Sequence, residues 1–402
     1  MRRVGSKAAQ IRINNAGMRK KIFLVVTATA IALAVVVLAG EVYLRRKQRR
    51  MIIPEYALAF HTHRGQKISV LEGSLKLALA PFTIYKNLPS QRTKTFSINS
   101  RGLRADENVE RDPSPKIVFL GGSAAFGQGA RTDQETIQYR LEQAMKPYRV
   151  LNAGVVGFLS GQELTYLVTE LVDYSPTVVV AYDGWNDLFD TMCSQERSDN
   201  ELGFNNNFFS IEEQLLLNYQ TQVSPYRSLG RLIDATSKKS LLLSRLTQRL
   251  HASQQPRGVI NYDRLNAVVL TYVTNLRKMA LFSHAYGARF IVVFQPELGQ
   301  KLHLSLAEQK MLDHGIIGIA KYHEEFPMLY RQFLTKAKQL LTRDGIEWLD
   351  INESIKYGES SDDLFVDVVH TNHRGNELVA EIIAPRILAL ANNRNKAASE
   401  AQ

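Results

Sequence analysis

From Lys116 onward, short apolar runs alternate with stretches of helical periodicity, and this alternation limits the possible folds more than any other feature of the 402 residues. A strand preceded and followed by helices is covered on both faces, so it reads as a continuous apolar run, and repeated units of this kind build a parallel sheet between two helical layers. Five runs qualify: Lys116 to Leu120, Arg149 to Asn152, Thr177 to Tyr182, Arg289 to Gln295 and Ile346 to Ile351. They predict a flavodoxin-like, three-layer α/β/α sandwich with a five-stranded parallel sheet. The clearest helix spans Asp263 to Ser283, where Leu265, Val268, Val269, Tyr272, Val273, Leu276, Met279 and Ala280 recur at three- and four-residue steps, a stripe made for a core. Thr132 with Glu135 and Ser160 with Glu163 have capping-box spacing and predict helix starts just after strands.

The net charge of +11 raises the question of a nucleic-acid partner, and its distribution answers it. Residues 1–50 hold twelve Lys and Arg against one acid, Glu41, which accounts for the whole excess; the remainder carries 38 basic and 38 acidic residues. A neutral body offers no general phosphate-binding surface, so no nucleic-acid partner is expected.

Between the basic clusters, Ile22 to Gly40 is nineteen residues without a charge, with Thr27 and Thr29 its only polar side chains. At about 1.5 Å per residue it is long enough to cross a bilayer core, and it predicts one N-terminal transmembrane helix behind a basic tail of residues 1–21. The run exceeds the apolar part of a usual signal peptide, and Glu41 and the basic Arg45 to Arg50 follow closely, which favours an uncleaved, single-pass anchor. Seven positive charges precede the span and five follow it, a balance that leans toward the amino terminus inside and the catalytic domain outside the cytoplasm.

Residues 41–113 read as a juxtamembrane collar and linker, with a turn at Asn99 to Gly102 and a polar, Pro-containing stretch from Asp106 to Pro115. The main domain is expected over 114–392, followed by a tail of 393–402. Within it, the periodicity breaks over about 190–258, too long for an ordinary connection, which predicts an inserted, partly helical lid. Cys193 is the only cysteine, so an intrachain disulfide and thiolate metal clusters are excluded. His61 and His63 have no evident third ligand nearby and read as an exposed pair, so no metal site is expected.

Ser123 carries the chemistry. In Lys116-Ile-Val-Phe-Leu-Gly-Gly-Ser123 an apolar strand releases a serine into a glycine turn at the carboxyl edge of the sheet, which is how hydrolases display a nucleophile. The turn lacks the GK[ST] ending of a P-loop, the GxGxxG of a dinucleotide site and the second glycine of an α/β-hydrolase elbow. The second strand ends in Leu151-Asn-Ala-Gly154, whose glycine N–H could meet an incoming oxygen, and the third in Asp183-Gly-Trp-Asn186, whose amide could point into the same space. Viewed alone, Asn186 could equally form an Asx-turn. Near the carboxyl terminus, Asp367-Val-Val-His370 precedes a helix running through Leu378, Ile382 and Ile383, and three-residue spacing can join carboxylate and imidazole. His373 has no carboxylate three residues before it and ranks below His370.

The ordered set Gly-Gly-Ser123, Asn-Ala-Gly154, Gly184-Trp-Asn186 and Asp367-x-x-His370 resembles the four blocks of the SGNH hydrolases, also called the GDSL esterase/lipase family, over about residues 116 to 390. The resemblance implies a Ser123–His370–Asp367 triad, an oxyanion hole from the N–H groups of Ser123 and Gly154 with Asn186, hydrolysis of an acyl-enzyme by water, and no cofactor. Gly122 stands where the family name has aspartate; that residue is not a triad member, and the replacement points to a divergent branch. The expectation is a membrane-anchored esterase acting on acyl, including O-acetyl, esters of a glycan or lipid. A rival use of the same residues is O-acyl transfer to bacterial envelope polysaccharide, with water exclusion by the inserted segment deciding between them. A non-catalytic glycan-binding or scaffold protein is the reading of a different class, though a scaffold has no physical need for a triad.

Overall fold

Each of the five apolar runs is a strand, and their burial shows why. The computed structural model describes residues 75, 77–80, 82–109, 111–193, 264–314, 322–355 and 363–400, with a few positions between 24 and 39. Four short strands come first: β1 (Leu77–Ala80) pairs antiparallel with β2 (Ile84–Asn87), and β3 (Gln91–Arg92) with β4 (Ser97–Ile98). The main sheet is formed by β5 (Lys116–Gly121), β6 (Arg149–Asn152), β7 (Val178–Asp183), β8 (Arg289–Phe294) and β9 (Glu347–Asp350), in the order β6-β5-β7-β8-β9 with every neighbour parallel. In β5, Ile117, Val118, Phe119 and Leu120 are all fully buried, as both-face coverage requires.

The helices are α1 (Ser123–Phe126), α2 (Ile137–Ala144), α3 (Ser160–Thr169), α4 (Trp185–Cys193), α5 (Leu265–Ala285), α6 (Leu306–His314), α7 (Tyr322–Arg343), α8 (Ile351–Ile355) and α9 (His373–Glu400). α2 and α9 pack on each other and on the sheet, while α5 packs on the sheet together with α3, α4 and α7, so the two sets form opposite layers. All eight stripe residues of α5, from Leu265 to Ala280, are buried. The strand order reverses between β5 and β7, the switch point of a doubly wound sheet, where ligands bind outside the carboxyl ends of the strands. Ser123 follows β5 and Asn186 follows β7, so the topology delivers both to that place.

Two capping boxes expected from the sequence are not formed. Glu135 accepts instead from the backbone and guanidinium of Arg131, and Thr136, four residues beyond Thr132, caps α2 by accepting from Tyr139 N at 3.3 Å. Ser160 donates through N–H and hydroxyl to Asp187, and the side chain that reaches back to the start of α3 is Gln162, accepting from Leu159 N at 3.2 Å.

The described part of the collar is built into the main unit. Tyr85 and Leu103 join the same hydrophobic core, Tyr85 Oη donates to Val156 O at 3.1 Å, and Asn87 Nδ2 donates to Gly154 O at 3.0 Å, so these residues buttress the turn after β6. The turn at Asn99 to Gly102 is present, with Gly102 N donating to Asn99 O and Gly102 at φ +88°. Chain contacts divide the molecule into two units, Met1–Ile52 with Leu215–Pro256, and Ile53–Gln214 with Arg257–Gln402. In the first unit the few described positions are helical, among them Thr29, whose hydroxyl donates to Val25 O. Most of the stretch 22–40 lies outside the described residues, as do His61, His63 and the expected insertion from residue 194 to 258. Among the described residues no helix is long and apolar enough to cross a membrane.

Candidate active site

The strand-turn-helix around β5 sets Ser123 as the first residue of α1, where a backbone N–H has no acceptor within its own helix. Ser123 is partly exposed while its partners are buried. His370 Nε2 lies 2.7 Å from Ser123 Oγ, and His370 Nδ1 lies 2.7 Å from Asp367 Oδ2. Asp367 Oδ1 accepts from Val369 N at 2.9 Å and His370 N at 2.8 Å, so the carboxylate is fixed by its own loop before it meets the imidazole. A carboxylate can only accept, which puts a proton on Nδ1 and leaves the neutral ring an Nε2 lone pair for the serine proton.

That loop is pinned from three sides. Within it, Val366 N donates to His370 O and Asn372 N to Leu364 O, both at 2.9 Å, closing the chain into a narrow loop. From the loop after β8, Leu298 N donates to Val368 O at 2.9 Å. From α6, Glu308 Oε1 accepts Leu364 N at 2.9 Å, while Glu308 Oε2 holds Lys301 Nζ at 2.5 Å with both side chains buried. His373, by contrast, begins α9 close to Glu135, away from the serine's hydrogen-bond line.

Asn186 Nδ2 donates to Phe158 O at 2.9 Å, using one of its two amide hydrogens. A Cβ placed on Gly122 would fall inside contact distance of that nitrogen, so the amide lies directly against the residue preceding Ser123. Glycine at position 122 is therefore what admits Asn186 to the site. Gly122→Ala is expected to displace the amide and lower kcat by about 10²–10³-fold, the cost of losing one oxyanion donor, with KM little changed; steady-state kinetics on an aryl acetate checks it, and an unaltered kcat would remove Asn186 from the site.

Gly154 is placed differently from the expectation. Its N–H donates to Asn152 Oδ1 at 3.0 Å, and a Cβ there would collide with the backbone of Ala125 and Phe126. Asn152 in turn donates to Phe126 O at 3.2 Å and Gln138 Oε1 at 3.0 Å. The Asn152-Ala-Gly154 segment thus locks the turn after β6 onto α1, and its glycine allows close packing. Gly157, with φ +76° and partial exposure, sits beside Phe158, whose carbonyl holds Asn186 and faces Gly122. The second glycine of Asn-Ala-Gly-Val-Val-Gly157 is thus the one that lies next to the residue holding Asn186.

Beneath Asn186 lies an acidic cluster with no counterpart in the sequence reading. Asp183, the last residue of β7, and Glu163, on α3, are buried against each other, and burial pushes both carboxyls upward. Tyr272 donates to Asp183 Oδ1, and burial together with Asp183 raises that phenol well above its usual range.

No family model and no curated protein matches the chain. Among solved structures, it is similar to the acetyl xylan esterase AlAXEase, at 13% identity and TM-score 0.38, covering 66% of this chain and 96% of that one. It is also similar to the lipase/acylhydrolase from Enterococcus faecalis, at 14% identity and TM-score 0.37 over 68% and 95% of the two chains. A carbohydrate acetylesterase family member from Sinorhizobium meliloti gives 10% identity and TM-score 0.38 over 69% and 99%. What the site can do follows from its own side chains.

Proposed function

We propose that the chain is a serine ester hydrolase of the SGNH type. The observation that carries this reading is the continuous line from Ser123 Oγ through His370 to Asp367, with 2.7 Å at each step, at the switch point of the sheet. Ser123 Oγ attacks the ester carbonyl carbon as its proton passes to His370 Nε2, and Asp367 stabilises the resulting imidazolium. The tetrahedral oxyanion is met by Asn186 and by backbone N–H groups, for which Ser123 and Gly157 are the proposed donors. Collapse expels the alcohol, which takes the proton from His370. Water, deprotonated by His370, then attacks the acyl-enzyme, and the acid departs as Ser123 recovers its proton. The substrate class is an acyl ester, with O-acetyl esters of glycans as the proposed physiological type. The uncharged stretch from Ile22 to Gly40 between basic clusters supports a membrane-held enzyme.

A fluorophosphonate probe tests the nucleophile on the full-length protein. Labelling is expected at Ser123, lost in Ser123→Ala and slowed by an acetylated glycan competitor. A folded protein that takes no label at Ser123 would overturn the assignment.

A further inference from the structure

Among the described residues, three buried carboxyl oxygens are without hydrogen-bond donors: both oxygens of Glu163, and Asp183 Oδ2. They belong to two side chains that act on each other electrostatically, each out of reach of solvent. Two ionised carboxylates could not occupy such a place, because each is an acceptor only and their charges repel in a poorly screened interior. One proton between them turns an acceptor–acceptor clash into a donor–acceptor bond.

We infer that Glu163 and Asp183 share one proton, and that this carboxyl–carboxylate pair positions the turn bearing Asn186. The second part rests on the proposed role of Asn186 in ester hydrolysis; the shared proton does not.

The proton belongs chiefly to Glu163. Asp183 already has one donor, since Tyr272 on α5 gives its hydroxyl to Oδ1, and a negative charge is better satisfied there. Glu163 also faces Asp187 on α4, which favours its neutral form. Tyr330 on α7 also faces Asp183, and burial keeps its phenol neutral. Among the described residues, no Lys or Arg contributes to the environment of the pair, and no three acidic or imidazole groups converge as a metal ion would need.

The link to the site is short. Asp183 ends β7, Gly184 turns the chain at φ +107°, and Asn186 follows in the first turn of α4. Asp187 fixes the other side by accepting from Ser160 N at 3.1 Å and Ser160 Oγ at 2.5 Å, and Asn275 Nδ2 donates to that hydroxyl at 3.0 Å. Asn186 therefore sits between two acids bonded to α3, and the Glu163–Asp183 bond holds only while its proton stays. The folded protein keeps a proton that the unfolded chain gives up in the ordinary carboxyl range. Stability thus declines as pH rises from that range through the raised value, and levels off above it. The kcat should fall as pH rises through that raised value, where the folded protein gives up the proton and Asn186 loosens.

Glu163→Gln supplies an N–H donor of the same shape that cannot titrate. It is expected to retain kcat within about twofold at pH values below the decline and to lose the decline itself, whereas Glu163→Leu should lose about tenfold or more in kcat at unchanged KM, short of the 10²–10³ for deleting a donor outright. Superimposable pH profiles for wild type and Glu163→Gln would overturn the positioning role. Independently of activity, infrared difference spectroscopy of the full-length protein, followed from the ordinary carboxyl range upward in pH, should show a buried protonated-carboxyl C=O band that outlasts the ordinary carboxyls and is missing from Glu163→Gln; its absence from wild type would overturn the shared proton. Should Glu163→Gln fail to fold, Asp183→Asn, which places an amide against Glu163, is read in the same two ways.

Discussion

Ser123→Ala is expected to lower kcat on a short-chain aryl acetate by about 10⁴-fold or more, equivalent to about 5.5 kcal/mol of lost transition-state stabilisation, with little change in melting temperature. The magnitude follows from the role proposed for the hydroxyl: its oxygen would form the new bond to the acyl carbon, and its proton is the one that His370, 2.7 Å away, would accept. Nothing else in the arrangement substitutes for that atom, so only the hydrolysis available to water held near His370 and Asn186 remains. Stability should be indifferent, because Ser123 is partly exposed and α1 is held by backbone bonds, with Gly127 N and Gln128 N both donating to Ser123 O. Initial rates and thermal melts of both proteins decide it. Equal turnover in parent and variant would sink the triad, and a collapse of the melting temperature would show that the side chain serves the fold.

The sheet was legible because burial on both faces writes a simple pattern. Strands β5 to β8 are so enclosed that Val, Ile, Leu and Phe fill consecutive positions, and the observed ends fall within a residue or two of the expected ones. The parallel order, and with it the convergence of Ser123 and Asn186, follows from the strand-helix alternation. Caps and glycines were less legible, since they depend on partners distant in sequence. Ser160-x-x-Glu163 has capping-box spacing, yet Asp187 takes the serine and Asp183 the glutamate. The spacing is honoured instead in Ser305-Leu-Ala-Glu308, where Glu308 N donates to Ser305 Oγ at 3.1 Å and Ser305 N to Glu308 Oε2 at 3.2 Å. The sequence pointed to Gly154 as an oxyanion donor because the acceptor that engages its N–H, Asn152 Oδ1, is not evident until β6 and α1 are packed. The described residues 77–98 form two-stranded pieces of two to four residues, too short for alternation to register.

Glu308→Ala is expected to destabilise the protein by about 3–5 kcal/mol, the cost of stripping one partner from a buried ion pair. Lys301 Nζ and the Glu308 carboxylate meet at 2.5 Å with no exposed side-chain surface on either, so alanine leaves a buried ammonium without its carboxylate. The same carboxylate caps α6 through Ser305 N and holds Leu364 N, at the entrance to the Asp367–His370 loop. Stability and activity should therefore fall together, with kcat reduced at temperatures where the fold is still intact because the imidazole no longer stands at a fixed distance from Ser123. Replacing both partners, as in Lys301→Met with Glu308→Leu, separates the two contributions. The double variant removes the stranded charge and should recover most of the stability, since apolar side chains of similar volume replace a buried pair at little cost. It cannot recover the bond to Leu364 N, so its kcat should stay low. Denaturant unfolding of the three proteins alongside their kinetics reads both quantities; a double variant restored in stability and activity alike would mean that Glu308 supports the interior and does nothing for the loop.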